Sequence, residues 1–501
     1  MNYASIIDPH PAEAVALISR REATDYGTLR DQVARLRGGL VRLGVEPGDR
    51  VAIVASNNWY FVVSYLAALG VGAVAVPLNP QAPAAAVASE LRAVGAVAVV
   101  IGPAARACCA EIAPGDLPEL RHRIGAGFEP EGGVALDDLM SGDPAPMVDR
   151  DDDDLAVLCF TSGTAGRPRA AKLTHGNLSV NLRQVAASSD EGPRPDDVAF
   201  GLLPMFHIFG LNVVLGTSLA AGGALLLVER FDPVSAIEAI QQHGVTTISG
   251  PPNMWAAFAG LAGLDPDSFS SVRLASSGAA KLAPEVADAM AEKFGVHLVE
   301  GYGLTEASPV VTAAVGMDAP RGSVGVPVPG MEVRIVDLEG EDVLVGDAGE
   351  MLVRGPNVFA GYWEDDEATA RVLDEDGWLH TGDLAVVDDD GFLFLVDRIK
   401  DLIIVSGFNV FPAEVEEVLL EHPAIAQAAV VGVPHPYTGE AVRAYVVARA
   451  GMSIEEDDVV DFVAQRLARY KCPNKVVFVP EIPVGLGGKV IRRALREAAA
   501  E

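Results

Sequence analysis

The chain has 501 residues, is 50% hydrophobic and 21% charged, and carries a formal net charge of −32. That composition is globular, and the length predicts two to four domains at roughly 150 residues each. So acidic a chain excludes non-specific nucleic-acid binding and docking on anionic lipid by global charge, since both need basic surface.

Taken in chain order, the opening "MNYASIIDPHPAEA" has no basic segment followed by an apolar run, so no signal peptide is expected. "RVAIVAS" (50–56), "NWYFVVSYLAALG" (58–70) and "AVAVPLN" (73–79) read as strand, helix and strand. "AAAVASELRAVG" (84–95) and "AVAVVIG" (96–102) repeat the alternation. Strand–helix–strand at this spacing predicts a parallel sheet with helices on its faces. "GVGAVA" (70–75) matches the loose dinucleotide fingerprint, but it leaves a helix and enters a strand, the reverse of what that motif requires. The four cysteines, Cys108, Cys109, Cys159 and Cys472, include no CxxC pair and read as reduced thiols of a cytoplasmic protein.

After an acidic run at 151–154, expected as a solvated loop, comes "LAVLCF" and then "TSGTAGRPRAAK". The first is a buried strand. The second supplies Thr161, Ser162 and Thr164 hydroxyls, with Gly163 and Gly166 freeing the backbone to aim several N–H groups into one concavity. Such a nest suits a polyphosphate, and Arg169 adds positive charge. It is not a Walker A loop, because no GxxxxGK followed by Ser or Thr occurs.

Residues 198–228 contain no Asp, Glu, Lys or Arg. Pro204, His207, Asn212 and the Gly222–Gly223 pair interrupt this stretch, so it reads as a buried helix, a glycine stop and a core strand rather than a membrane span. "DPVSAIEAIQQHG" and "VTTISG" resume the helix–strand rhythm. "VEGYGLTEASP" then gathers Tyr302, Thr305 and Glu306: a flat ring for a base, a phosphate donor and an oxygen ligand for Mg²⁺. Beyond about Ser323 the strands shorten and the turns become rich in Gly and Asp, as in a small antiparallel unit. There "GWLHTGDLA" offers Asp383 at a glycine turn, where a carboxylate can accept from ribose hydroxyls. "DRIKDLIIVSG" sets Arg398 and Lys400 at a domain junction, and a compact α+β tail follows. Near the end, "GLGGKVIRRALRE" places Lys489 in a glycine-flanked loop just before a helix.

"TSGTAGRPRA", "LPMFHIFG", "SSGAAKL", "GYGLTE", "GWLHTGD", "DRIKDLIIVSG" and "GGK", in this order along nearly the whole chain, resemble the adenylate-forming superfamily. That superfamily includes acyl-CoA synthetases, firefly luciferase and the adenylation domains of peptide synthetases. The resemblance implies an α/β fold: a large N-terminal domain (1–398) of layered sheets flanked by helices with a small β-barrel-like unit, and a small mobile α+β C-terminal domain (399–501). It implies a two-step reaction in which a carboxylate displaces pyrophosphate from ATP and the acyl-AMP then passes to CoA, with Mg²⁺ as cofactor. The partners implied are a small carboxylate, ATP and CoA. No integral membrane segment is expected, and the chain is expected as a monomer or homodimer.

By the same resemblance, Lys489 bridges carboxylate and phosphate in the first step, and Thr164 and Glu306 serve Mg²⁺ and phosphate. Thr161, Ser162, Gly163, Thr164, Gly166 and Arg169 form the phosphate loop. Ser277, Gly278, Ala279, Ala280, Tyr302, Gly303 and Thr305 are carried over to the nucleotide, and Asp383 and Arg398 to its ribose. Lys400 is the hinge. His207 gates an acyl pocket that also draws on Asn212, Met254, Gly278, Tyr302, Gly303 and Ser308. Ser406, Gly407 and Phe408 line the CoA channel.

The chain departs from the family's usual TSGTTGxPKG at Ala165, Arg169 and Ala170. Arg keeps the charge of the usual Lys but not its shape, so restoring Lys at 169 is expected to leave activity unchanged or raise it. No extra segment of the kind fatty acyl-AMP ligases carry appears between 323 and 362, which favours a CoA ligase. Ser406 and Asn409 stand where plant 4-coumarate–CoA ligases and luciferases tend to have Lys and Gln, which tilts the expectation to a bacterial fatty-acid ligase, with an aryl acid as the alternative substrate. A weakly active or non-catalytic acyl-adenylate binder is the remaining reading.

Overall fold

The computed structural model describes residues 1–19, 22–161, 169–337, 339–406, 408–484 and 490–500. Four sheets organise it. The first has seven strands. Its parallel part runs Val134–Ala135, His122–Gly125, Ala98–Ile101, Arg50–Val54 and Val74–Leu78, and then β1 (Leu155–Thr161). The edge strand β2 (Arg169–Thr174) turns back antiparallel on β1. The predicted helix Trp59–Gly70 lies between two of these strands and is buried from Phe61 onward, which is why it carries no polar stripe. Helix α1 (His175–Ala187) follows β2 directly. Thr174 and Asn177 cap it reciprocally, each side chain accepting the other's backbone N–H.

The second sheet has nine strands. Val198–Gly201 and Ala224–Leu227 are followed across the sheet by the parallel strands β3 (Thr247–Gly250), β4 (Leu274–Ser277) and β5 (Leu298–Gly303). Helices α2 (Pro233–His243), α3 (Pro252–Gly260) and α4 (Pro284–Phe294) cover one face, burying Ile248 and Ala275 with Trp255, Phe258 and Met290. The charge-free stretch is the expected buried helix, but its first part, Phe209–Gly216, is a π-helix in which Thr217 N–H donates to Asn212 O. The glycine stop falls at Gly222, in the left-handed region at φ 83°, and the strand Ala224–Leu227 follows. "GVGAVA" does leave a helix and enter a strand.

The small antiparallel unit is a four-stranded meander of Glu332–Val336, Gly349–Arg354, β6 (Leu379–Val387) and β7 (Leu393–Arg398), in line order. Among the described residues no pairing joins its two edge strands, so the unit is an open sheet. The C-terminal unit is α+β: Ile403–Val405, Phe408–Val410, Ile425–His435, Gly439–Ala448 and Lys475–Phe478 form its sheet. Helices α5 (Pro412–Leu420) and α6 (Arg492–Ala500) pack on that sheet, which has its own core of Val, Ile and Leu. No helix among the described residues is long and apolar enough to cross a membrane.

Candidate active site

Strands β1 and β2 end at the paired residues Thr161 and Arg169. The loop they hold, with Ser162, Gly163, Thr164 and Gly166, lies outside the described residues, as do Gly407 and Lys489. Arg169 has a role the sequence did not announce. Its Nε donates to Asp365 Oδ2 at 3.0 Å, and its guanidinium lies 5.8 Å from the centre of the Tyr362 ring. Asp365 in turn caps the short helix Asp366–Ala370 by accepting from Ala368 N–H, and this bond, with the Arg169 charge, holds its carboxyl below the usual range. Ala170 O accepts from Trp363 N–H, so segment 360–363 is stitched along β2. Arg169 is therefore a tether at the foot of the loop as well as a nearby positive charge.

Tyr362 leads on to Glu306. Its hydroxyl donates to Glu306 Oε1 at 2.7 Å, and burial followed by the Glu306 charge pushes the phenol's pKa up. Glu306 is half-buried in the one-turn helix Thr305–Ala307, beside the buried Thr305. No group of three His, Cys, Asp or Glu gathers among the described residues as a protein-only metal cage would require. A single carboxylate does fit Mg²⁺, which keeps water and phosphate oxygens as its other ligands.

The strand ends of the second sheet complete the site. Ser277 is buried with its Oγ unpartnered among the described groups, Gly278 follows, and Ala279 sits in the left-handed region at φ 70° with Ala280 half-buried beyond it. Ser308 (φ 68°) and Ser406 (φ 53°) share that strained conformation, so three expected site segments each carry a non-glycine residue there. Gly303 cannot carry a side chain, because a Cβ would stand 2.2 Å from Pro309 O. Tyr302 is buried, and its hydroxyl donates to Asp383 Oδ2 at 2.6 Å, while Arg398 Nε donates to Asp383 Oδ1 at 2.9 Å. Asp383 is thus inside β6, directly after Gly382 (φ 69°), where it forms the outermost pair with β7 opposite Arg398. Burial, and then the neighbouring Asp383 charge, raise the Tyr302 pKa well above its ordinary value.

The acyl-pocket expectations divide. His207 is exposed, and Phe209 N–H approaches its Nδ1 at 3.3 Å. Phe209, missed in the sequence, lies over Gly278: a Cβ added there would stand 3.2 Å from two atoms of the ring. Met254 faces the other way. It is buried among α3, α4 and Trp255 on the helix-covered side of the sheet, because Gly250, which it covers, alternates with Ser249 along β3. Asn212 is spent on structure: its amide donates to Leu178 O and Ser308 O, and its Oδ1 accepts from Tyr3 Oη, all in the core. Ser308 is fully buried, its carbonyl held by that amide. Phe408 is 56% exposed and stacks on Tyr470 with ring centres 4.8 Å apart, beside Ser406, whose N–H donates to Thr438 O.

At the junction, Arg398 is fixed to the large unit through β7 and Asp383, while the buried Asp401 is fixed to the small one. Asp401 accepts from Arg496 at 2.7 Å and pairs with Arg492 at 3.5 Å, and Arg492 also forks onto Glu416 at 2.8 and 2.9 Å. Ile399 and Lys400 lie between these anchors. Burial, then repulsion from Arg398, lowers the Lys400 pKa. Val484 and Val490, on either side of residues 485–489, form an isolated antiparallel bridge.

The two layered α/β sheets, the linked cluster of Tyr302, Asp383 and Arg398 beside Glu306 and Tyr362, and the separate small α+β unit are the layout of an adenylate-forming ligase. The chain belongs to the AMP-binding enzyme family: the family's main model matches residues 7–363, and the model of its C-terminal domain matches 414–489. A feruloyl-CoA synthase of an Amycolatopsis species is 37% identical over 98% of this chain and 96% of that protein. The 4-coumarate–CoA ligase 5 of Oryza sativa subsp. japonica is 35% identical over 96% of this chain and 90% of its own length. Among solved structures, ATP-bound MatB from Rhodopseudomonas palustris superposes with a TM-score of 0.92 at 32% identity, covering 100% of this chain and 99% of that one. The protein is an AMP-forming acid–thiol ligase that uses ATP, Mg²⁺ and CoA.

Proposed function

We propose that the chain activates an aromatic carboxylic acid to its acyl-AMP and transfers the acyl group to CoA. The observation that carries the aromatic assignment is the wall that Phe209 makes over the bare backbone of Gly278, which offers a flat substrate an aromatic face. Relatives named for feruloyl and coumaroyl acids, similar over nearly the whole chain, support it over the fatty-acid reading.

In this reading the loop from Thr161 to Arg169 takes the phosphates, with Ser162, Gly163, Thr164 and Gly166 as donors and Arg169 as its tether. Glu306 and Thr164 would hold Mg²⁺, which would supply neutralisation of phosphate charge. Tyr362 fixes the Glu306 carboxylate for that task. Ser277 to Ala280 and the loop from Tyr302 to Thr305 frame the nucleotide base, and Asp383, oriented by Tyr302 and Arg398, accepts from the ribose. Lys489 offsets charge on the attacking carboxylate and the α-phosphate, a contribution greatest where charge develops. His207 borders the mouth of the acyl slot. The chain divides at 398/399, Lys400 is the hinge, and rotation of 399–501 exchanges Lys489 for a thiol channel past Ser406, Gly407 and Phe408. A cytoplasmic location fits these substrates.

The test is AMP and pyrophosphate release from MgATP across acetate, medium- and long-chain fatty acids, benzoates and cinnamates, each with and without CoA. CoA-stimulated turnover peaking on an aryl acid is the expected result. A peak on a long-chain fatty acid refutes the aromatic assignment, and turnover indifferent to CoA refutes the transfer step.

A further inference from the structure

We propose that the hydroxyl pair Ser249–Ser276 is the distal recognition element of the acyl slot, selecting aryl acids that carry a hydrogen-bonding group on the ring end remote from the carboxylate. The inference rests on the aryl-acid reading above.

Ser249 on β3 and Ser276 on β4 are register partners in the parallel part of the nine-stranded sheet, so their side chains share a face. It is the face opposite Ile248 and Ala275, which are buried under α2 to α4. Central parallel strands are ordinarily covered on both sides and apolar on both. Here Thr247, Ser249, Ser276 and Val299 are all half-exposed, although strands flank them on either side. That face is therefore open where the core should close it. Continuing the alternation brings Gly278, with the Phe209 ring against it, onto the same face. The hydroxyls lie two residues, roughly 7 Å, below Gly278 along the strand, about the length of one ring.

The pair is built to bind. Ser276 Oγ–H donates to Ser249 Oγ at 2.8 Å. Each hydroxyl has one proton and two acceptor sites, so the pair keeps the Ser249 proton and spare lone pairs for a third group. Its position is rigid, because Trp255 Nε1 donates to Ser276 O from the opposite face at 3.1 Å. Thr247 and Val299 beside it are uncharged, so the matching group is neutral, a phenol or a ring carbonyl rather than a second carboxylate. An alkyl chain reaching this depth would strip water from both hydroxyls and return no bond. A slot that pairs with a substrate hydroxyl discriminates strongly against the analogue lacking it.

The test is kcat/KM for CoA-thioester formation with 4-hydroxycinnamate and with cinnamate, in the wild type and in Ser249→Ala, Ser276→Ala and the double variant. The wild type should prefer 4-hydroxycinnamate at least tenfold. Each single variant should reduce the ratio and the double variant should bring it to within about twofold of unity, while Ser276→Thr, which keeps a hydroxyl, should keep the preference. A ratio that survives in the double variant, or a wild type indifferent to the hydroxyl, overturns the inference while leaving the aryl-acid function standing. Thioester formation from fatty acids and from neither cinnamate overturns both.

Discussion

His175 opens helix α1 with its ring fully buried. Its Nδ1 accepts the Tyr3 N–H at 3.0 Å, so the ring's proton is on Nε2, which is buried without a partner among the described groups. A second proton would have to enter on Nδ1, break the bond to Tyr3 and charge a dry site at a helix N-terminus. Burial, and then the nearby Arg150 charge, lower its pKa from 6.5 to about 4. The sign follows from that direction. Below pH 6.5 the unfolded chain takes up a proton that the folded chain refuses until about pH 4, so stability falls as pH drops through that window. Linkage over this interval gives a loss of about 2 kcal/mol between pH 7 and pH 5 and about 3 kcal/mol in full. His175→Asn keeps an acceptor near the Nδ1 position and cannot titrate. Urea unfolding of both proteins from pH 7.5 to pH 5 should show the wild type losing about 2 kcal/mol more than the variant. Parallel curves would refute the assignment of a neutral, buried imidazole.

Lys489→Ala should depress acyl-AMP formation by a factor on the order of 10²–10³ and spare thioester formation from supplied acyl-AMP; equal loss in both half-reactions would sink the division of labour. Gly278→Ala puts a methyl 3.2 Å from the Phe209 ring, an overpacking of ~1–3 kcal/mol, and should cut kcat/KM for the preferred aryl acid at least tenfold; steady-state kinetics at saturating ATP decide it. Arg169→Lys, which the sequence suggested would be harmless or beneficial, should instead raise the KM for MgATP about two- to fivefold. Lys loses the Nε bond to Asp365 and the planar contact with Tyr362, together ~0.5–1 kcal/mol, and a KM at or below the wild-type value would show that the tether does not position the loop.

Local patterns made the layered α/β architecture legible. The strand "LAVLCF", the glycine stop at Gly222 and the proline-led helices at Pro233, Pro252, Pro284 and Pro412 each carry their instruction in adjacent residues. What stayed hidden depends on contacts between distant segments. The tether of Arg169 spans 196 positions to Asp365, and Tyr362 lies 56 from Glu306. Neither Tyr362 nor Asp365 stands out in a turn-rich stretch. Met254 and Asn212 looked like pocket walls because they sit near the right motifs, but one face of β3 is core and the other is open, and composition does not say which. The π-helix that carries Phe209 was invisible for a related reason: in "IFGLNVVLG", apolar but for Asn212, a shift from i−4 to i−5 bonding leaves no periodicity to read.

The double clasp of Asp401 by Arg492 and Arg496 makes a mechanical linkage of the junction. Arg496 also reaches back to the Lys400 carbonyl at 3.4 Å, so the turn and α6, which begins three residues beyond Lys489, are joined at both ends of the segment 400–401. In the rotation proposed above, that clasp would carry α6 with the turn rather than let it move against it, and would leave the backbone around Ile399 as the place where the two units swivel.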